Sequence, residues 1–576
     1  MRHPEALAVA LLVVVAACSP VETESGDART SAPAGVATGA LRPATVATAD
    51  SAMVVSASPL ATNAGLEVLR RGGNAVDAAV TVALTLAVTY PTAGNVGGGG
   101  FMVARIDGKN VALDFREVAP RAATRDMYLD SAGNMTDRSV TGALAAGVPG
   151  SVAGLYEAHQ KYGTRPWSEL VRPAMELAER GFAIDTAFTD DGEYGASRLT
   201  NDSASAALFL RNGKFVAVGD TWRAPELAAV LRRIAERGRD GFYTGETADL
   251  IVAAMKRSGG IISHEDLAGY QAIWRTPLEF DYRGRRVVSM PPVSSGGLTL
   301  ALVLGILDRS DIGALGWRSA ESIHLLAEAE RRAFARRNNL LGDPAFVKIP
   351  VASFMSRDTA AALLAEIGRV SSGGDSSAAS KESRHTTHFS IVDARGNAVA
   401  ITTTLNESYG AAFTVPGAQF LLNDEMDDFT GKVGAVNAMG LVQGEANAIA
   451  PGKRMLSSMT PTIVLDSLGA PLLVTGAAGG AYIITAVAHQ IVALFDYHRP
   501  LAEAMAAPQF HHQDVPDSLV VEQAWADSAA ALMKPLGHAV KPSPWGVLAN
   551  MQSIHREGGQ WRGVTEPRGF GLAKGY

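Results

Sequence analysis

Apolar residues recur at helical spacing through most of the first two thirds of the chain, and short β-prone runs follow. From Leu60 to Arg71 the positions Leu60, Ala64 and Val68 fall four apart, and Gly72-Gly73 stops that helix. Asn74 then stands as an N-cap with Asp77 three residues on, opening a second helix that runs through Val88. Ala, Val and Leu cover most faces of this second helix, which places it inside the protein. Further helical patterns occupy 141–161, 167–180, 224–237, 245–257, 298–309 and 319–340. Residues 371–380 are polar and rich in Ser and Gly, a flexible boundary or an exposed loop. After them the texture changes to β-prone runs at 387–392, 398–405, 418–422, 461–466 and 471–475. Helices mostly before residue 370 and strands clustering after it predict sheets sandwiched by helices.

One segment is more informative than the rest. Thr386–Val392 and Ala398–Asn406 are both β-prone, and the Asp393–Asn397 stretch between them consists of turn formers. This predicts a hairpin with a short loop. Pairing Val392 with Ala398 sets Thr404 opposite Thr386, and cross-strand neighbours have Cβ atoms ~5 Å apart. Two hydroxyl side chains at that separation can hydrogen-bond. Taken alone, Thr386 reads as a plain β-branched strand residue.

The N-terminus has a different character. Arg2 and His3 precede an apolar run from Ala6 to Ala17, then Cys18. The run is shorter than the ~20 residues needed to span a bilayer and fits the core of a signal peptide, residues 1–17. Val15-Ala16-Ala17-Cys18 resembles a bacterial lipobox, in which the cysteine is lipidated and becomes the mature N-terminus. The alternative is an ordinary signal peptide cut near Ala17, with Cys18 incidental. Residues 18–46 read as a flexible tether, and the folded part begins near Ala47. The expectation is an exported, periplasm-facing lipoprotein that touches the membrane only through its lipid. Pro20 supplies no inner-membrane retention aspartate, which favours the outer membrane where the cell has one.

Composition narrows the classes. The 576 residues give a length prior of roughly four domain-sized units. With 47% hydrophobic and 19% charged residues, the chain can bury a large core, which excludes wholesale disorder. A net charge of −7 without a long basic run argues against a nucleic-acid partner. A single cysteine excludes a disulfide framework and a cysteine-based structural zinc site.

Taken together, the motifs resemble those of the γ-glutamyltransferases (γ-glutamyl transpeptidases), self-cleaving N-terminal-nucleophile hydrolases. The resemblance covers essentially all of residues 47–576. It runs through Gly72-Gly73-Asn74-Ala75-Val76-Asp77, Gly97-Gly98-Gly99-Gly100-Phe101-Met102, Asp114-Phe115-Arg116-Glu117 and Gly147-Val148-Pro149-Gly150-Ser151. It continues with Pro291-Pro292-Val293-Ser294-Ser295-Gly296-Gly297 and Leu341-Gly342-Asp343-Pro344. Beyond Thr386-Thr387-His388 come Asn423-Asp424-Glu425-Met426-Asp427-Asp428-Phe429, Lys453-Arg454-Met455-Leu456-Ser457-Ser458-Met459 and Gly479-Gly480. The resemblance implies an α/β fold, a four-layer α-β-β-α sandwich formed jointly by two self-cleaved chains. These would be a large chain, 47–385, and a small chain, 386–576, held together as a heterodimer.

What the resemblance implies about chemistry follows residue by residue. The precursor cuts itself between His385 and Thr386, and the freed Thr386 pairs its hydroxyl with its own α-amine, a recognised activated nucleophile. Thr404 orients Thr386. Arg116, Ser457 and Ser458 hold the α-carboxylate of a γ-glutamyl substrate, for which an arginine fork is suited. Asn406, Glu425 and Asp428 accept from its ammonium. Gly479 and Gly480 present backbone amides to the oxyanion. Substrates would be glutathione and γ-glutamyl compounds, with water, amino acids or dipeptides as acceptors, and no cofactor or metal is implied. Residues 430–447 resemble a substrate lid in which Met439 replaces the usual aromatic gate. Ala477-Ala478 and Tyr409 are two further departures.

Competing motifs are weaker. Gly97 to Gly100 lacks a following Gly-Lys-Ser/Thr and reads as close backbone packing rather than a phosphate loop. His385-x-x-His388 and His511-His512 lack the His-Glu-x-x-His context of a zinc hydrolase. No Gly-x-Ser-x-Gly elbow is present. Two other readings stay open: a related acylase acting on glutaryl-type groups, and an inactive exported lipoprotein that only binds amino acids or peptides.

Overall fold

The computed structural model describes residues 44–371, 373, 386–438 and 440–576. Cys18, His385 and Met439 lie outside the described residues, as do the leader and nearly all of the tether.

Local signals explain the first elements. A helix spans Pro59–Arg70 with Pro at its first turn, and Gly72 takes φ 85° just past its end. The next helix, Ala75–Thr89, carries the anticipated capping box. The Asn74 side chain accepts from Asp77 N–H, and Asp77 accepts from Asn74 N–H, each at 2.9 Å. Nearly all of its residues are buried. Helices at Trp167–Arg180, Pro225–Arg237, Glu246–Ser258, Gly296–Leu307 and Ala320–Leu340 stand close to where periodicity put them.

Two local expectations fail for identifiable reasons. The pattern at 141–161 becomes a helix only at Ser151–Tyr162, because Gly147, Pro149 and Gly150 interrupt its first half. Residues 418–422 form no strand. Pro416 and Gly417, the latter at φ 80°, turn the chain back on itself, so that Leu422 N–H donates to Phe413 O at 3.0 Å.

Two antiparallel sheets form the centre. In the first, the strand order is Leu572–Gly575, Met53–Ser56, Thr386–Val392, Ala398–Thr404, Gly99–Ile106, Lys109–Phe115 and Ile273–Arg275. In the second it is Val46–Ala49, Gln560–Thr565, Asn550–Glu557, Pro471–Thr475, Thr462–Leu465, Arg285–Ser289 and Leu278–Tyr282, with Ala477–Ala478 also pairing to Asn550–Glu557. The sheets pack face to face; Ala75–Thr89 covers the outer face of the first, and Gly296–Leu307 with Tyr482–Phe495 covers the second. The four-layer α-β-β-α arrangement is therefore present. Strands do not cluster after residue 370 as the texture implied: both sheets draw strands from both ends of the chain. The prior of about four units gives way to one, since the first sheet alone joins Met53 to Gly575.

The predicted hairpin lies mid-sheet with its register intact, from Thr386 opposite Thr404 to Val392 opposite Ala398. Every residue of both strands is buried, as a strand covered on both faces requires. The glycines beside it have a packing role. A Cβ on Gly97, Gly98 or Gly100 would fall 2.1, 2.1 or 2.4 Å from the carbonyl oxygens of Leu421, Thr404 and Thr402.

Candidate active site

Thr386 opens its strand at the rim of the two sheets. Its hydroxyl donates to Thr404 Oγ1 across the hairpin at 3.4 Å, and Thr404 Oγ1 accepts Asn406 N–H at 2.8 Å. Asn406 sits at φ 81°, with its side-chain amide donating to Asp424 O at 3.1 Å. Thr386, Thr404 and Asn406 line one cavity. Arg116, Glu425, Asp428, Ser457, Ser458 and Gly480 complete much of its wall. Of the ten residues the resemblance assigned to catalysis and substrate binding, only Gly479 is not among those lining it.

The charged wall follows from a short helix. Glu425–Asp428 forms one turn of 3₁₀ helix, in which residues three apart eclipse, so both carboxylates face the same way. Arg116 meets them with its fork, Nη1 on Glu425 and Nη2 on Asp428. Its Nε also donates to Met455 O at 3.2 Å. This arginine is fully buried rather than a surface residue. Burial opposes its charge, but Glu425, Asp428 and Glu117 outweigh that and raise its pKa. Burial pushes Glu425 up to about 8 despite the pull of Arg116, and raises Asp428 in the same way. Glu117 lies 3.7 Å from Arg116 Nη1 with neither carboxylate oxygen hydrogen-bonded, and burial holds it well above the usual range. A cation and its counter-carboxylates thus share one wall, complementary to a zwitterion.

The adjoining Ser457-Ser458 wall is held through its main-chain carbonyls. Ser295 N–H and Oγ donate to Ser457 O at 2.7 and 2.6 Å, and Ser294 Oγ donates to Met459 O at 2.6 Å. The Pro291–Gly297 motif therefore acts as a buttress for Ser457-Ser458. Its glycines allow the approach: a Cβ on Gly296 would sit 2.1 Å from Thr460 Oγ1.

Arg337 is a site residue that motif reading passed over. Its Nη2 donates to Ser458 Oγ at 3.0 Å, its Nε to Ser295 Oγ at 3.0 Å, and its Nη1 to Asn338 Oδ1 and Gln443 Oε1 at 2.9 and 3.2 Å. Burial lowers its pKa to about 10, with Asp428 pulling the other way. A signal existed in the helix period. Ile323, Ala327, Glu330, Phe334 and Arg337 fall on one buried stripe of Ala320–Leu340, and a cation on such a stripe calls for a partner.

Gly479 and Gly480 take φ 133° and 56°, conformations that side chains disfavour. They immediately precede the Tyr482–Phe495 helix, whose N-terminal dipole favours negative charge. Ala477-Ala478 is a short strand leading into this turn. Tyr409 is buried, with its hydroxyl donating to Asp190 O at 2.8 Å. Beside the cavity, Asp427 accepts from Ser139 Oγ at 2.7 Å and from Ala438 N–H at 2.8 Å, tying down the 430–447 segment. Leu441 of that segment reaches the cavity wall.

Of the histidines singled out earlier, His388, His511 and His512 are structural. His388 bonds Thr402 and Ser390 at 2.8 and 3.1 Å, and burial lowers its pKa to about 3. His511 bonds Thr485 and Gln513, while His512 pairs with Asp517 at 3.2 Å.

The family model described as gamma-glutamyltranspeptidase matches residues 61–576. The chain is 45% identical to the glutathione hydrolase proenzyme of Escherichia coli (strain K12), covering 91% of this chain and 92% of that protein. A cephalosporin acylase from Bacillus halodurans superposes with a TM-score of 0.80 at 25% identity, covering 92% of this chain and 97% of that one. The Helicobacter pylori gamma-glutamyltranspeptidase structure is 43% identical, with a TM-score of 0.54, and covers 54% of this chain and 90% of that one.

Proposed function

This chain belongs to the gamma-glutamyltranspeptidase family, and from that premise we propose how its residues divide the work. It is an enzyme acting on glutathione and γ-glutamyl compounds, with both hydrolase and transferase chemistry open to it. The observation that carries the assignment of roles is the single cavity gathering Thr386, Arg116, Glu425, Asp428 and Ser458.

In the precursor, Thr386 Oγ1 adds to the His385 carbonyl carbon. The C–N bond breaks as the nitrogen takes the hydroxyl proton, leaving an ester. Water hydrolyses that ester, releasing a carboxylate at His385 and a free amine and hydroxyl at Thr386. The resulting chains, 47–385 and 386–576, stay together because each contributes hydrogen-bonded strands to both sheets. In turnover the α-amine, with a pKa of roughly 7.7–8 when unperturbed, accepts the Thr386 proton as Oγ1 attacks the γ-carbonyl. The leaving amine takes that proton, and a γ-glutamyl ester remains for water or an amino acid or dipeptide acceptor. Thr404 orients the nucleophile. Gly479 and Gly480 stabilise the oxyanion at the helix N-terminus, a contribution of about 3 kcal/mol per donor.

The substrate α-carboxylate lies between Arg116 and the Ser457 and Ser458 hydroxyls, with Arg337 acting through Ser458 as a positioning residue. Its ammonium lies against Asn406, Glu425 and Asp428. An acylase reading has support from the superposed cephalosporin acylase. A glutaryl group has no ammonium, however, and the buried Glu425 and half-buried Asp428 carboxylates favour a γ-glutamyl donor. Export through residues 1–17 and lipid anchoring at Cys18 belong to the same proposal, and rest on the sequence pattern.

A denaturing gel tests the reading: two chains are expected from purified protein, and Thr386→Ala should remain one band and inactive. Persistent cleavage in that variant would overturn the nucleophile. Rates on γ-glutamyl and glutaryl anilides, compared for wild type and Asp428→Ala, separate the transferase from the acylase. Equal rates on both donors in the wild type would contradict the ammonium pocket.

A further inference from the structure

We propose that His324, Glu328 and His538 form a binding site for one divalent transition-metal ion of the zinc type, separate from the active-site cavity. The candidate ligand atoms of these three buried residues lie within 4.8 Å of one another. His324 and Glu328 are one turn apart on the Ala320–Leu340 helix and so share a face. His538 comes from the segment between Lys534–Leu536 and Val540–Pro542.

The hydrogen bonds orient the histidines as ligands. His324 Nε2 lies 2.9 Å from Gly368 O. A carbonyl oxygen can only accept, so Nε2 carries the proton and Nδ1 offers its lone pair. Metal-ligating histidines are typically held in this way, the second nitrogen donating to a backbone carbonyl or carboxylate. His324 Nδ1 faces His538 Nε2 at 2.8 Å, so His538 supplies the shared proton. An ion would replace that proton. Two nitrogens bound tetrahedrally at 2.0–2.1 Å from zinc stand about 3.3 Å apart, so the pair need open by only about 0.5 Å.

Glu328 completes a two-histidine, one-carboxylate set, which suits zinc and leaves a fourth position open. Burial opposes its charge, but hydrogen bonds from Arg332 and Ser371 hold its pKa at about 2. Oε2 faces Arg331 at 3.0 Å and Arg332, whereas Oε1 takes the neutral Ser371 hydroxyl at 2.8 Å. Oε1 is therefore the oxygen that can turn to an ion.

Ser371 N–H also donates to Leu536 O at 2.7 Å. If cleavage falls before Thr386, as proposed above, the ion would clamp the large chain to the small one.

The test is titration of chelator-stripped, mature enzyme with Zn²⁺ alone by calorimetry, beside Mg²⁺ as a control. One Zn²⁺ per large–small pair is expected, with a Tm increase that Mg²⁺ does not give. His324→Gln and His538→Gln keep a neutral hydrogen-bonding side chain and should each weaken Zn²⁺ binding at least tenfold while leaving turnover unchanged. Co²⁺ in the wild type should show the intense visible absorption of a tetrahedral site, which needs no variant to fold. The uncut Thr386→Ala protein should bind equally, so the metal site and the cleavage reading can fail separately. Absence of stoichiometric uptake, a Co²⁺ spectrum without tetrahedral character, or uptake indifferent to His538→Gln would each overturn the proposal.

Discussion

Replacing Arg337 by Met isolates a residue that acts through another. The guanidinium is fully buried and donates to Ser458, Ser295, Asn338 and Gln443. Its pKa of about 10, lowered by burial, means that keeping the charge costs about 3 kcal/mol. Methionine has similar length and fills irregular space, so the substitution removes that cost along with the bonds. Two of the four partners are hydroxyl oxygens, which lose a donor but can still donate their own O–H. The Asn338 amide oxygen would lose roughly 1–3 kcal/mol if left unpaired, whereas Gln443 Oε1 keeps the Asn447 amide at 3.3 Å. The terms largely offset, so the net stability change should stay within about 2 kcal/mol, a Tm shift of a few degrees at this chain length. Binding should suffer more. Ser458 loses the donor that fixes its hydroxyl, and the carboxylate end of the cavity loses a cation. Charge-assisted bonds contribute about 1.5–3 kcal/mol, which corresponds to KM rising by roughly 10- to 150-fold. The value of kcat should change less than threefold, because Arg337 does not contact the scissile bond. Steady-state kinetics on a γ-glutamyl anilide, with melting curves for both proteins, decide it. Arg337→Lys should recover part of the KM. An unchanged KM in Arg337→Met, or a loss confined to kcat, would refute the reasoning.

Three other outcomes follow from the same geometry. Thr404→Val keeps the shape but removes the acceptor of Asn406 N–H and the partner of Thr386, so Tm should fall by the equivalent of about 1–3 kcal/mol and self-cleavage should slow, whereas Thr404→Ser retains both; wild-type cleavage rates in the valine variant would contradict this. Gly98→Ala would drive its Cβ to 2.1 Å from Thr404 O, so soluble yield and melting temperature should both collapse, and an unaltered Tm would disprove the packing role. Burial raises Asp427 to about 6, so the folded chain holds that proton longer than the unfolded chain does. Its contribution is full below about pH 4 and fades as pH rises through about 6, by up to ~3 kcal/mol; urea melts at several pH values should show that slope flattened in Asp427→Asn, and an identical slope in the variant would count against it.

The hairpin and the Asn74–Asp77 cap were readable because their determinants lie within a few residues of one another. Turn formers at Asp393–Asn397 set the register that brings Thr404 to Thr386. The Arg116 cluster was legible only as a set of motifs, since its bonds to Glu425 and Asp428 span 309 and 312 residues. Motif resemblance placed Arg116 with the carboxylate end and the two acids with the ammonium end, while the fold puts guanidinium and acids in direct contact. Strands such as Met53–Ser56 and Gly99–Ile106 were hidden because they are short or begin with glycine, and they become strands by joining a central hairpin hundreds of residues away. Arg337 and the His324–His538 pair escaped notice for a related reason. A polar residue on a buried helical stripe announces that it needs a partner, but its identity depends on which distant segment packs there.

By itself, then, the amino-acid sequence determined the helices, caps, hairpin register and inventory of reactive groups, all governed by neighbours along the chain. Packing of two sheets and two helical layers decided which of those groups share a cavity, because contacts across hundreds of residues exist only once the core has closed.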